Sequence, residues 1–360
     1  MEKTVKKAYV GLDDGNFNTK LIAILEENGV KSAPIQLSIP TRIALGTITQ
    51  INGLSGITNA ANIYEFNGTK YTVFDADDKS VYSNIIDPRN LVYHETVENV
   101  IMAKHAIKMA GIDDTYELNL VTGLPFRDYF TFEGSVNKEN QTKKIENFSL
   151  KWDLVECLDN KKSPKITSHN ILSEGAGAYL NELFEFNGGE SINRVTTELN
   201  RGPVAFVDIG GRTIDIVTFT KNGKNIINDY SDTSEYGALD LSNEVAKGIK
   251  NSLKIKTNLL PDKIDEAIRT GKYYARGQDY DVSEIVSSAK QTFCNRLELE
   301  IKGTLKNADD IALIVFVGGG SQLVREQLED IYEQSHFIEN PDLANAKGFL
   351  KACLIIFVKK

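Results

Sequence analysis

The sequence predicts an α/β chain of two related halves, and three short segments predict it. Val10 to Lys20 (VGLDDGNFNTK) and Phe206 to Ile216 (FVDIGGRTIDI) each run from an apolar strand into Asp, Gly and a hydroxyl or amide residue. Each then returns to an apolar strand. Ile311 to Ser321 (IALIVFVGGGS) is a fully apolar run, as expected of a central strand covered on both faces, and it ends in three glycines and a serine. Two similar hairpins suggest two half-structures that clamp a metal-bound triphosphate from both sides.

The residue types fit that chemistry. Glycines let backbone N–H groups approach an anion closely. A carboxylate beside those groups repels phosphate unless a divalent cation lies between them. Asp13 and Asp208 are therefore candidate Mg²⁺ ligands acting through water. Lys20, on the far arm of the first hairpin, is placed to neutralise β/γ charge. The competing reading is an ordinary β-hairpin, since Asp-Gly is also a strong turn signal. After the third strand, Gly318, Gly319 and Gly320 would let backbone lie flat against a ligand, and a helix is predicted from Ser321. No GxxxxGK[ST] occurs, and no GxGxxG follows a first strand, so neither a P-loop nor a Rossmann fingerprint is present.

Two further segments lie between the hairpins. Leu118 to Pro125 reads as a strand ending in a Gly-Leu-Pro turn. Ile171 to Tyr179 (ILSEGAGAY) places Glu174 among small residues at a helix opening, with room for a ligand or a close helix. A carboxylate there can orient a water for attack on a γ-phosphate. It can equally be a helix-start acid favoured by the macrodipole.

Along the chain, residues 8–33 read as a strand, hairpin and strand. Residues 34–92 are polar and irregular, with short strands at Glu65–Phe74. Residues 93–111 carry helical apolar spacing and stop at Gly111. Residues 117–170 read as β-rich, with Phe132, Phe148 and Trp152 as core aromatics. A polar break spans 187–203, and 261–300 reads as charged and helical. The apolar tail Cys353–Val358 reads as a buried end of a helix or strand.

The 360 residues suffice for two cores, and 41% are hydrophobic. A net charge of −9 argues against direct DNA binding. Three scattered cysteines point to reduced thiols in a cytosol, and no CxxC pair suggests zinc. No signal peptide and no apolar run of about 20 residues is seen, so a cytoplasmic protein with no membrane contact is expected.

The order of these motifs resembles the actin-like ATPase superfamily, and within it the ParM-type plasmid-segregation actins. The carriers are the Asp-Asp-Gly-Asn opening, Gly-Leu-Pro, Ser-Glu-Gly-Ala-Gly-Ala, Asp-Ile-Gly-Gly-x-Thr-x-Asp-Ile, and Asn340 to Leu350 (NPDLANAKGFL). The resemblance spans residues 8 to about 352. It implies an actin-like (ribonuclease H-like) two-domain ATPase fold with the nucleotide cleft between the domains. Residues 1–187 plus 340–360 would form the first domain, with 34–92 a small insert. Residues 188–339 would form the second, with about 250–305 its upper helical part.

Carried over by position, Asp13 and Asp208 would organise Mg²⁺ and its waters. Gly15, Asn16, Lys20, Gly210, Gly211 and Thr213 would hold phosphates, and Glu174 would position the attacking water. Gly318, Gly319, Gly320 and Ser321 would pack against adenosine, with Glu244 and Lys247 candidate base contacts. Asp215 matches a second acid with a structural or water-binding role. Asn18 and Thr19 stand near the phosphate contacts, with the inward one undecided. Arg212 departs from the pattern. It would be a charge stabiliser, or point to solvent or to a neighbouring subunit.

The resemblance further implies ATP (GTP remains open) hydrolysed during head-to-tail filament assembly. A DNA-binding adaptor would link the filament to centromere-like plasmid DNA for partition. Three rivals share parts of this core. A small-molecule kinase needs an aspartate base, for which Asp75, Asp77 and Asp78 are available. A heat-shock chaperone needs a following substrate domain. A cell-shape or division actin needs an amphipathic membrane anchor.

Overall fold

The computed structural model describes residues 6–47, 49–52, 56–59, 62–74, 85–88, 92–159, 162–306, 308–329 and 332–358. Asp75, Asp77 and Asp78 lie outside the described residues. The chain forms two compact units. The first is Met1–Leu124, Asp128–Ser191 and Leu343–Lys360, and the second is Pro125–Arg127 and Ile192–Asp342.

The main sheet of the first unit runs Lys165–Ser173, Tyr116–Leu124, Lys6–Asp14, Asn18–Glu27, Val30–Lys31. Lys6–Asp14 pairs in parallel with Tyr116–Leu124, which pairs in parallel with Lys165–Ser173. Three strand ends, at Asp14, Leu124 and Ser173, therefore share one edge. Alternation along each strand sorts the core into two layers. Ala8, Val10, Leu12, Leu21 and Ala23 join one cluster with the helix Val97–Met109. Tyr9, Ile22 and Ile24 join another with Phe349, Leu350 and Cys353 of the helix Ala344–Val358. The apolar tail is the end of that helix. Among the described residues no helix is long and apolar enough to cross a membrane.

Val97–Met109 is capped by Thr96, whose hydroxyl accepts from Asn99 N, and the chain leaves it through Gly111 at φ +76°. Ile63–Phe66 and Thr69–Val73 form the hairpin expected near 65–74. The β-rich reading of 117–170 is corrected by the fold. Lys138–Lys151 is a helix, with Asn137 as its N-cap. Phe148 and Trp152 are four residues apart and share its buried face, with ring centroids 6.1 Å apart. Phe132 is not core. It is fully exposed, on a turn closed by the Phe130–Val136 bridge.

The sheet of the second unit runs Asp232–Ser234, Ile214–Phe219, Val204–Ile209, Leu313–Val317, Ser335–Phe337. The helices Ala238–Leu253, Pro261–Thr270 and Ser283–Leu305 share one apolar core with it. The expected helical stretch 261–300 is thus interrupted by the hairpin Lys272–Ala275 and Gln278–Asp281. The 187–203 break holds the short helix Arg194–Leu199, closed by an Asn193–Thr196 capping box.

Three histidines of the first unit make its stability pH-dependent. Burial first, then the nearby Lys144, hold His94 at about 4 and His169 at about 3, with Asp14 opposing. Burial and Lys108 hold His105 at about 4, with Asp159 opposing. An unfolded chain protonates these rings near pH 6.5, so between there and about pH 4 it binds more protons than the fold. Stability should therefore fall as pH drops through that window. Thermal melting against pH checks this, and His105→Gln should flatten the slope.

Candidate active site

The first hairpin places its residues by strand alternation. Asp13 stands opposite Lys20, and Asp14 opposite Thr19. Asp13 and Lys20 share one face, where Lys20 Nζ lies 2.9 Å from Asp13 Oδ2. Thr19 turns inward. Its hydroxyl is fully buried, 3.2 Å from Thr41 Oγ1, and Thr41 donates to the Gly15 carbonyl at 2.7 Å. Thr19 braces the tip from below, while Asn18 is half-buried. A side chain at Gly15 would crowd the Asn18 carbonyl, 2.9 Å away, so glycine lets the tip close.

Glu174 follows the strand Lys165–Ser173, and its N–H donates to the Leu124 carbonyl at 2.8 Å. The small residues after it make room for a helix. Asn345 Oδ1 accepts from Gly175 N and Ala178 N, both at 3.1 Å, and so caps Ala176–Leu183. Gly177 and Gly123 face the ring of Phe349. The Ser-Glu-Gly-Ala-Gly-Ala and Asn-Ala-Lys-Gly-Phe segments are thus packing partners, a relation that spacing alone does not reveal.

In the second unit, Val204–Ile209 and Leu313–Val317 are parallel, with Asp208 opposite Val317. The Asp208 carboxylate lies directly against Gly318, whose φ is +82°. Gly210 N donates to the Thr213 carbonyl at 2.9 Å and closes the second tip. The carbonyls of Gly210 and Gly211 accept from Ala238 N and Leu239 N at 3.0 and 2.9 Å. They thereby satisfy the first N–H groups of that helix.

Asp215 is buried. It accepts from Thr213 Oγ1 at 3.0 Å, Thr233 Oγ1 at 2.6 Å and Phe126 N at 2.7 Å, which pins the Pro125–Arg127 segment. Arg212 lies 3.7 Å from the exposed Glu235, a pair worth little in water. Ser321 is buried and donates to the Gly318 carbonyl at 2.7 Å. The helix predicted from Ser321 begins at Gly319 and breaks at Val324. Glu244 and Lys247 are exposed neighbours on Ala238–Leu253, beyond the turn that meets the hairpin.

Two sequence-model matches bear on the family. "Plasmid segregation protein ParM, N-terminal" matches residues 8–183, and "Archaeal actin homologue MreB-like, C-terminal" matches residues 206–330. The two matches do not overlap, and together they mark an actin-like chain. Its N-terminal portion is similar to that of ParM. No curated protein matches it.

Solved structures share its actin-like fold. A ParM from a 15-stranded filament of Clostridium botulinum has a TM-score of 0.72 at 18% identity, over 96% of this chain and 99% of that one. The archaeal actin homologue Ta0583 in complex with ADP scores 0.68 at 19% identity, over 95% and 98%. Bacillus thuringiensis ParM with AMPPNP scores 0.61 at 16% identity, over 97% and 99%.

The donors present suit a magnesium nucleotide. Among the described residues no cluster of three His, Cys, Asp or Glu side chains could cage a metal. Mg²⁺ does not need one, because it keeps several waters and leans on phosphates. Asn16 Oδ1 at the first tip is a buried acceptor with no protein partner. It can accept from a metal-bound water. With the amide turned over, it donates to a phosphate oxygen. Lys20, 2.9 Å from Asp13, would supply a compensating cation.

Proposed function

We propose that this actin-like chain binds Mg-ATP through its two phosphate hairpins and hydrolyses it to ADP and phosphate. We propose further that nucleotide state governs head-to-tail assembly into filaments that segregate plasmid DNA in the cytoplasm, through a DNA-binding adaptor. The carrying observation is the Asp13–Lys20 pair at the tip of a ParM-like hairpin, beside the carboxyl ends of three parallel strands, where α/β folds take up ligands.

Asp13 and Asp208 would hold Mg²⁺ through its waters, and the ion would supply charge neutralisation at the phosphates. Gly15, Asn16, Lys20, Gly210, Gly211 and Thr213 would hold the phosphates. Gly318, Gly319, Gly320 and Ser321, with Glu244 and Lys247 beyond them, would line the nucleoside side. Glu174, fixed through its backbone to Leu124, would orient the attacking water. A head-to-tail contact does not close on itself, so it builds a filament. The relatives solved as a ParM filament and with ADP or AMPPNP support this reading.

Light scattering with Mg-ATP, Mg-GTP, Mg-ADP and no nucleotide tests it. Scattering should rise with Mg-ATP and decay as phosphate appears. Glu174→Ala should slow hydrolysis by roughly 100- to 10,000-fold and let the polymer persist. The GTP arm decides base preference. Nucleotide binding with no scattering at tens of micromolar protein would end the filament reading and favour a kinase.

A further inference from the structure

The helix Lys138–Lys151 carries a fully buried ammonium close to the first hairpin. Lys144 Nζ lies 2.8 Å from Asp14 Oδ1, and both side chains are at most 3% exposed. The same nitrogen donates to the Gly123 carbonyl at 2.5 Å. The other Asp14 oxygen accepts from Asn99 Nδ2 at 2.6 Å. Sequence reading passes over this cluster, because 130 residues separate Asp14 from Lys144.

A buried ion pair is weak evidence for stability, since apolar side chains of similar volume often serve as well. What this pair specifies is position. Asp14 follows Asp13 in the same strand and points to the opposite face. Gly123 precedes Leu124, whose carbonyl holds Glu174 N. An added side chain at Gly123 would also crowd Glu174 Cγ, 3.1 Å away. One ammonium therefore ties the hairpin tip to the strand end that holds the Glu174 N–H. The other polar anchors of this helix reach elsewhere. Asn147 Nδ2 donates to the His94 and Thr96 carbonyls, and Lys151 Nζ to the Glu95 carbonyl.

We propose that Lys144 is a positioning residue that locks the first phosphate hairpin and the Glu174 turn into one frame. This rests on the nucleotide reading above. The lock should matter more for hydrolysis than for binding. Glu174 must be aligned on a water, whereas phosphate charge is felt over a longer range.

The test compares Lys144→Met, the double variant Asp14→Asn/Lys144→Met, and Lys151→Ala, which loosens the helix away from the hairpin. Lys144→Met strands a buried carboxylate, and the double variant remains informative if that protein does not fold. In nucleotide-free protein, amide hydrogen exchange at 14–18, 123–124 and 174–175 should quicken in the double variant and not in Lys151→Ala. Affinity for a fluorescent ADP should stay within about threefold, while single-turnover hydrolysis falls on the order of 100-fold.

Wild-type exchange in a folded double variant overturns the lock. So does an equal fall in affinity and hydrolysis, or the same hydrolysis defect in Lys151→Ala. Failure of wild-type protein to bind the fluorescent ADP overturns the nucleotide reading instead, and the exchange arm still decides whether the lock exists.

Discussion

Gly318→Ala should lower the melting temperature by roughly 10 °C and weaken nucleotide binding. Gly318 sits at φ +82° and ψ 157°, a region essentially closed to side chains. A Cβ there would overlap Asp208 Oδ1 and lie 2.5 Å from the Ile209 carbonyl oxygen. Its N–H is also fixed, donating to the Pro341 carbonyl at 2.8 Å, so the residue cannot simply rotate away. Strain and overpacking together cost about 3 kcal/mol. The carboxylate displaced is the one proposed to hold magnesium waters. Gly319→Ala is the control. Its Cβ would meet only Asp342 Cβ at 3.9 Å, and melting should barely change. Thermal unfolding and titration with a fluorescent ADP read both variants. Equal melting of the two would contradict the packing of Gly318 on Asp208.

The contrast between these adjacent glycines shows what the sequence can convey. Three glycines after an apolar strand announce close backbone approach, but not to what. Gly318 and Gly320 approach protein, at Asp208 and Ile209, and Gly319 alone opens to solvent. The two hairpins were legible because local alternation carries them. Asp13 must face Lys20 once the turn closes, and Asp14 must then face inward. Where Asp14 goes was not legible, because its partners Asn99 and Lys144 come from two distant helices. The helix 138–151 is missed for a different, local reason. Its inward face is part polar, with Lys144 and Asn147 buried beside Phe148, so the apolar stripe that marks a helix is broken. Thr19 similarly looks like a phosphate contact in the sequence. Only Thr41, just past the strand Ile35–Pro40 that pairs with Asn18–Glu27, shows that its hydroxyl is engaged below the tip.

The second large effect is expected at Gly348, where the C-terminal helix meets the Glu174 segment. A Cβ on Gly348 would overlap the Gly177 carbonyl oxygen, lie 2.5 Å from its carbon and 3.1 Å from Asn181 N. All three are backbone atoms, so no side chain can swing aside. Gly11→Ala would press the same helix from the sheet side, against Ala346 O and Leu350 N. Moving the helix would draw Asn345 off the cap at Gly175 and Ala178, and Lys351 off the Asn181 carbonyl it reaches at 2.6 Å. Gly348→Ala should therefore cost about 3 kcal/mol or more, near the top of the overpacking range. Because the cap lies one residue beyond Glu174, hydrolysis should fall further than global stability explains, even at temperatures where the variant is folded. Gly303→Ala gives the opposite sign. That glycine lies inside the helix Ser283–Leu305 with nothing within 4 Å of an added Cβ. The better helix former should stabilise by about 1 kcal/mol. Denaturant unfolding of both variants, with phosphate release measured on the folded fraction, separates the two effects. A Gly348→Ala protein with wild-type stability and turnover would mean that the two helices are not in backbone contact.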